Sequence, residues 1–166
     1  MYSNEALSDP FDRKITIQKD FLNLAALKNT IVDAHYYERD RLGRHIVFMA
    51  RALNQYNPQD YFRGIGIDDS LAVCIDESNK ACVYNANGLK ALFLTVYDIN
   101  ARPERLEKSI PLTWNNNHTA LIGYEVTGTT LGRNCFDLNE WKLLGAGTSN
   151  FYYVINGNVT IDSFSK

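Results

Sequence analysis

One strand–helix–strand run constrains this chain more than anything else in it: "TIVDAHYYERDRLGRHIVFMARALNQYNPQDYFRGIGIDDS", residues 30 to 70. "TIVDAH" reads as an apolar strand whose end delivers Asp33 and His35. Side chains two apart on a strand face the same way, so these two are expected to share one pocket. From Asp40, read as the N-cap, Leu42, Ile46, Met49 and Leu53 recur at helical spacing through Gln55. Pro58 is expected to close the helix. "GIGIDDS" then reads as a short strand with acids at its exit. A doubly wound domain opens with several such βα units. Here there is one.

What surrounds it is mostly strand. Residues 4 to 9 read as the end of a helix stopped before Pro10. "RKITIQ" alternates apolar and polar residues and predicts a short strand. "LAVCIDESNKACVYN" predicts a hairpin around a Ser-Asn-Lys turn. "ALFLTVYDI", "SIPLTW", "LIGYEV" and "FYYVINGNVTI" predict further strands, the last bent into a hairpin at Asn156-Gly157. Helical patterning nearly vanishes after residue 60. The chain thus divides into an α/β part, 1–70, and a β-rich part, 71–166, within a single partial domain.

Composition narrows the function classes. A net charge of −2 gives no general pull toward nucleic acid or anionic membrane, and no apolar run approaches the ~18 residues a bilayer span needs. The start, "MYSNEALSDPFDRK", lacks the basic-then-apolar order of a signal peptide, so no compartment is assigned. Cys74, Cys82 and Cys135 are an odd set without metal spacing. Cys74 and Cys82 flank the predicted hairpin turn, and all three are expected to pack as buried free thiols. No metal and no cofactor is expected.

The residues suited to chemistry gather between 33 and 69. His35 has the near-neutral pKa that general-base work needs, and it sits where a strand gives way to a loop. Arginines 39, 41 and 44 follow it, and an arginine cluster can clamp a carboxylate through paired hydrogen bonds. The bland reading is equally open: a solvated helix start in which Glu38 and Asp40 neutralise the arginines. Asp68 and Asp69 can orient the histidine, as the acid of a nucleophile–base–acid set does, or simply cap a turn. The glycines of "GIGIDDS" make no phosphate loop, because the following helix and Lys-Ser/Thr are absent. For Tyr36, Tyr37, Tyr152, Tyr153, Trp114 and Trp141, packing is the expected role.

"DAHYYERDRLGR" followed by "GIGIDDSLAV" resembles the cyanophycinase-like branch of serine peptidases, in the dipeptidase E group (peptidase family S51). Looser similarity extends over "EALSDPFDRKITIQKDFL", "CFDLNEW" and the final hairpin. The resemblance implies a flavodoxin-like, class I glutamine amidotransferase-like three-layer sandwich with a β-rich C-terminal part. It implies His35 as catalytic base and Asp69 as its acid, with Asp68 the neighbouring alternative. Asp33, Arg39, Arg41 and Arg44 match positions that line the substrate pocket. Ala34 stands where cyanophycin-cleaving members commonly carry glutamine. The substrate class implied is therefore a peptide or isopeptide bond of Asp/Arg type, not cyanophycin in particular.

The family's nucleophile is a serine on a strand-to-helix elbow, and neither Gly-x-Ser-x-Gly nor Ser-Ala-Gly occurs in the chain. "GAGTSN" at 145 to 150 leads into a predicted strand and reads as a loop. The chain is therefore expected to be the C-terminal half of such a peptidase, holding base, acid and pocket without the nucleophile and inactive alone. A peptide substrate is expected only when an N-terminal half is supplied. The partners expected are a complementing chain or a second copy in a homodimer, with no nucleic acid and no membrane. The alternative is a non-catalytic interaction protein on the same scaffold.

Overall fold

The run from Thr30 folds as its periodicity dictates. In the computed structural model, which describes residues 1–18, 23–56 and 62–164, a short helix α1 (Ser3–Ser8) and a 3₁₀ turn (Ala25–Leu27) precede β1 (Thr30–Ala34). The helix α2 (Leu42–Tyr56) then connects β1 to β2 (Arg63–Ile67), which lies parallel to it with Val32 opposite Ile65. After β2 come β3 (Ala72–Ile75), β4 (Lys80–Tyr84), β5 (Lys90–Val96), β6 (Leu121–Thr127), β7 (Cys135–Asp137), β8 (Lys142–Leu144), β9 (Gly147–Ile155) and β10 (Asn158–Ser163). The class is mixed α/β, mostly strand, in two sheets. The larger has the order β1-β2-β5-β6-β9-β10 and the smaller β3-β4-β7-β8. Every pairing except β1–β2 is antiparallel. The 1–70 and 71–166 parts share the larger sheet.

Alternation along β5 sets the layers. Leu92 and Leu94 point to a core built with α1, α2, Trp114 and Tyr152. Phe93 points the other way and joins Ile65 and Val126 against Ala81, Val83 and Phe136 of the smaller sheet. The Phe93 and Phe136 rings stack with centroids 4.3 Å apart. One face of the larger sheet therefore carries helices, and the opposite face carries the smaller sheet. Trp114, Trp141, Tyr152 and Tyr153 are all buried, as packing residues should be.

Local chemistry overturned several expectations. "RKITIQ" forms no strand: the Asp12 carboxylate accepts from Lys14 N–H at 2.8 Å, and Ile15 N–H bonds back to the Asp12 carbonyl. That turn buries Ile15 without extending the chain. "SIPLTW" makes only isolated bridges at Thr113 and Trp114, with Pro111 breaking the run. "GAGTSN" is mostly strand rather than loop, since β9 begins at Gly147 and takes in its last four residues. Asp40 does not cap α2. Its backbone is left-handed (φ 46°), and the cap comes from α1, where the buried Ser3 hydroxyl accepts from Gly43 and Arg44 N–H at 2.9 and 3.2 Å. Pro58, expected to close the helix, lies outside the described residues.

The hairpins follow their turn residues. Asn156 and Gly157 both take positive φ between β9 and β10, the conformation a two-residue hairpin requires. Between β3 and β4, the Asp76 carboxylate accepts from Ser78 and Lys80 N–H. The cysteines are not three buried free thiols. Cys82 and Cys135 form a disulfide, and Cys74 is free and exposed. The reason is β7, too short to read from its residues, which sets Cys135 opposite Cys82.

Candidate functional site

The histidine segment leaves the carboxyl ends of β1 and β2, where sites gather in open α/β sheets. β1 stops at Ala34, and His35 turns into the left-handed region (φ 53°). That turn breaks the strand period, so Asp33 and His35 do not share a pocket. Asp33 is buried toward α2, whereas His35 swings out to 39 % side-chain exposure.

Around His35 the structure gathers two carboxylates. The imidazole Nδ1 lies 2.9 Å from Glu38 Oε2. A carboxylate oxygen of Asp69 completes a set in which one ligand atom from each residue lies within 4.8 Å of the others. His35 Nδ1 donates to Glu38, which leaves Nε2 with no hydrogen-bond partner among the described residues. The same three groups have the chemistry and spacing a divalent cation accepts.

Asp68 has a different task. Its Oδ1 accepts from Glu38 N–H at 3.3 Å and from Asp69 N–H at 3.0 Å, tying the exit of β2 to the His35 loop. Its neighbour Asp69 is the acid brought beside the imidazole.

The arginines are split. Arg44 grips Asp33 with both arms of its guanidinium, Nε to Oδ2 at 2.9 Å and Nη2 to Oδ1. Arg41 donates to the Met1 carbonyl at 2.7 Å. Arg39 is exposed, and its guanidinium makes no side-chain hydrogen bond among the described residues. Asp33 and Arg44 are thus engaged with each other, and Arg39 has its donors available.

Two glycines explain the close fit beneath the loop. A Cβ at Gly66 would lie 2.6 Å from the Tyr36 ring, and one at Gly64 would lie 2.6 Å from His45 Nε2. In that space His45 Nε2 donates to the Ile31 carbonyl at 3.1 Å. Nδ1 therefore accepts from the Tyr36 hydroxyl at 3.0 Å. Burial pushes His45 down to about 4, against an opposing pull from Asp33, and pushes the Tyr36 phenol well up.

His45 therefore stays neutral in the fold while the unfolded chain protonates near pH 6.5. Its contribution is complete above that pH and is lost as pH falls from 6.5 toward 4, by roughly 3 kcal/mol over the window. Urea denaturation at pH 7, 5.5 and 4.5 should show this slope, and His45→Gln should flatten it. An unchanged slope in the variant would remove His45 as its cause.

Sequence reasoning missed Glu38 as the partner of His35, because strand periodicity says nothing of a residue that turns left-handed. It also missed the Asp33–Arg44 pair. The signal was there: an acid on the buried face of a strand needs a cation from the helix covering it. A cleft of about 340 Å³ lies at the opposite end of the sheet beside Asn29 and Arg63, a wider one of about 560 Å³ lies beside Tyr124 and Leu143, and neither is lined by His35. No helix among the described residues is long and apolar enough to cross a membrane, which says nothing about β-barrels. No family model, curated protein or solved structure matches the chain.

Proposed function

We propose that this chain is the C-terminal portion of a cyanophycinase-like serine-type peptidase on a doubly wound, class I glutamine amidotransferase-like framework. It would contribute the base, the base's acids and part of the substrate pocket. The observation that carries the reading is the His35 imidazole, held through Nδ1 by Glu38, flanked by Asp69, with Nε2 unpartnered among the described residues. That is the geometry of a general base in a nucleophile–base–acid set. Nε2 takes the proton of an attacking serine hydroxyl and returns it to the leaving amine, while the carboxylates hold the ring's tautomer and stabilise the imidazolium. Arg39 supplies a guanidinium for a substrate carboxylate, in keeping with bonds of Asp/Arg type. The serine comes from a segment outside these 166 residues or from a complementing chain.

A fluorophosphonate probe applied to the native protein tests this. Labelling of a serine that co-purifies with residues 1–166 is the expected result. No labelled serine, in a preparation whose fold is intact, would overturn it. A second reading, a non-catalytic interaction protein, is favoured by β1, which stands at the edge of the larger sheet with Val32 47 % exposed. That reading predicts no labelling.

A further inference from the structure

The three cysteines occupy one row across the smaller sheet. Cys74 of β3 lies directly opposite Cys82 of β4, and Cys82 lies directly opposite Cys135 of β7. Residues directly opposite in an antiparallel ladder project to the same face, with Cβ atoms about 4.5–5.5 Å apart. Their strand neighbours Val73, Ile75, Ala81, Val83 and Phe136 pack into the core between the sheets. All three sulfurs therefore lie on the outer face of the smaller sheet.

Exposure falls along the row. Cys74 is exposed and free, Cys82 is half-buried, and Cys135 is 3 % exposed and bonded to Cys82. A thiol open to solvent thus sits beside the nearer sulfur of a disulfide whose other sulfur is shielded. Opposed residues on adjacent strands have Cα atoms about 4.5–5.5 Å apart, within the ~4.4–6.8 Å a disulfide spans. Cys82 and Cys135 stand closer still, with Cα atoms 4.0 Å apart. Cys74, directly opposite Cys82 on the other side, stands at the ordinary ladder spacing that a disulfide also spans. Cys74 and Cys135 sit two strands apart, about 9–10 Å at the ordinary strand spacing, too far to be bridged.

We propose that this row is a thiol–disulfide exchange site, in which Cys74 and Cys135 compete for Cys82. The Cys74 thiolate attacks Cys82 Sγ, the Cys74–Cys82 bond forms, and the Cys82–Cys135 bond breaks. The electron pair leaves on Cys135 Sγ, which takes up a proton as Cys74 gives one up. One disulfide and one thiol are present before and after, so no external oxidant or reductant is needed. The exchange moves the covalent staple from β4–β7 to β3–β4 by side-chain rotation, with the strand register unchanged. It also moves the free thiol from an exposed to a buried position. The outer sulfur is thereby the place where a small thiol or disulfide from solution enters the row.

Tryptic cleavage separates the cysteines onto peptides 64–80, 81–90 and 134–142, so one experiment reads all three. The full chain, folded and without reductant, is incubated at pH 7 and pH 8.5. It is then blocked with N-ethylmaleimide, digested unreduced and weighed by mass spectrometry. Two linked pairs are expected, 81–90 with 134–142 and 64–80 with 81–90. The maleimide sits on 64–80 in the first and on 134–142 in the second. The second pair should appear faster at pH 8.5, because the thiolate is the attacking species. Finding the first pair alone at both pH values and all times would overturn the proposal. A comparable amount of 64–80 joined to 134–142 would also overturn it, since that pair forms only through unfolded chains. In Cys135→Ser, peptides 64–80 and 81–90 should become linked under air, and two persistently free thiols would count against the row.

Discussion

Replacing Asp33 with alanine is expected to cost the fold about 3–5 kcal/mol, the usual penalty for removing one partner of a buried ion pair. Asp33 is 5 % exposed, and its carboxylate is held by two arms of Arg44, whose side chain is 20 % exposed. Truncation leaves that guanidinium without its partner under α2. The double variant Asp33→Leu/Arg44→Met should regain most of the loss, because a buried pair replaced by apolar groups of similar volume is often neutral. Urea denaturation with linear extrapolation reads both. A loss under about 1 kcal/mol in Asp33→Ala would show that the pair does not anchor β1 to α2. Asp33 would then be available for the substrate role that the resemblance implies.

His35→Ala should reduce fluorophosphonate labelling of the complete enzyme by several orders of magnitude while leaving the denaturation midpoint unchanged. The midpoint should hold because the His35 side chain is 39 % exposed and, among the described residues, hydrogen-bonds only to its near neighbour Glu38. The labelling should fall because a serine without its base is a weak nucleophile. Comparing Glu38→Gln with Asp69→Asn then separates the two acids. Neutralising the acid that fixes the base costs about 10⁴-fold in a worked serine-protease case, and the bond from His35 Nδ1 assigns the larger effect to Glu38. A larger loss in Asp69→Asn would return the orienting role to the acid after "Gly-Ile-Asp". Equal, small losses in both would argue against a base at His35.

The parts legible in the sequence were those whose period is long and whose burial is one-sided. Leu42, Ile46, Met49 and Leu53 marked α2 to within two residues at its start and one at its end. Asn156-Gly157 marked its hairpin because few residue pairs tolerate two positive φ values in succession. Short or bent elements were hidden. β7 and β8 hold three residues each, fewer than a period-two pattern needs, and the Cys82–Cys135 bond was hidden with them. In the site, the position of His35 at the carboxyl end of β1 followed from the strand pattern. Its pairing with Glu38 did not, because it depends on a single backbone torsion.

The Ser3 hydroxyl has a consequence for the order in which the chain can assemble. It holds the first turn of α2 across 40 residues of sequence and also donates to the Asp40 carbonyl in the His35 loop. During synthesis α1 emerges first, and it has no helix to cap until α2 has followed it out. Closing so long a loop before any contact rewards it slows folding. The loop that presents His35 therefore reaches its final shape only when the two ends of residues 3–44 meet. Deleting residues 1–8 would leave two backbone donors at the start of α2, those of Gly43 and Arg44, without the Ser3 hydroxyl that caps them, although both lie far along the chain from the cut.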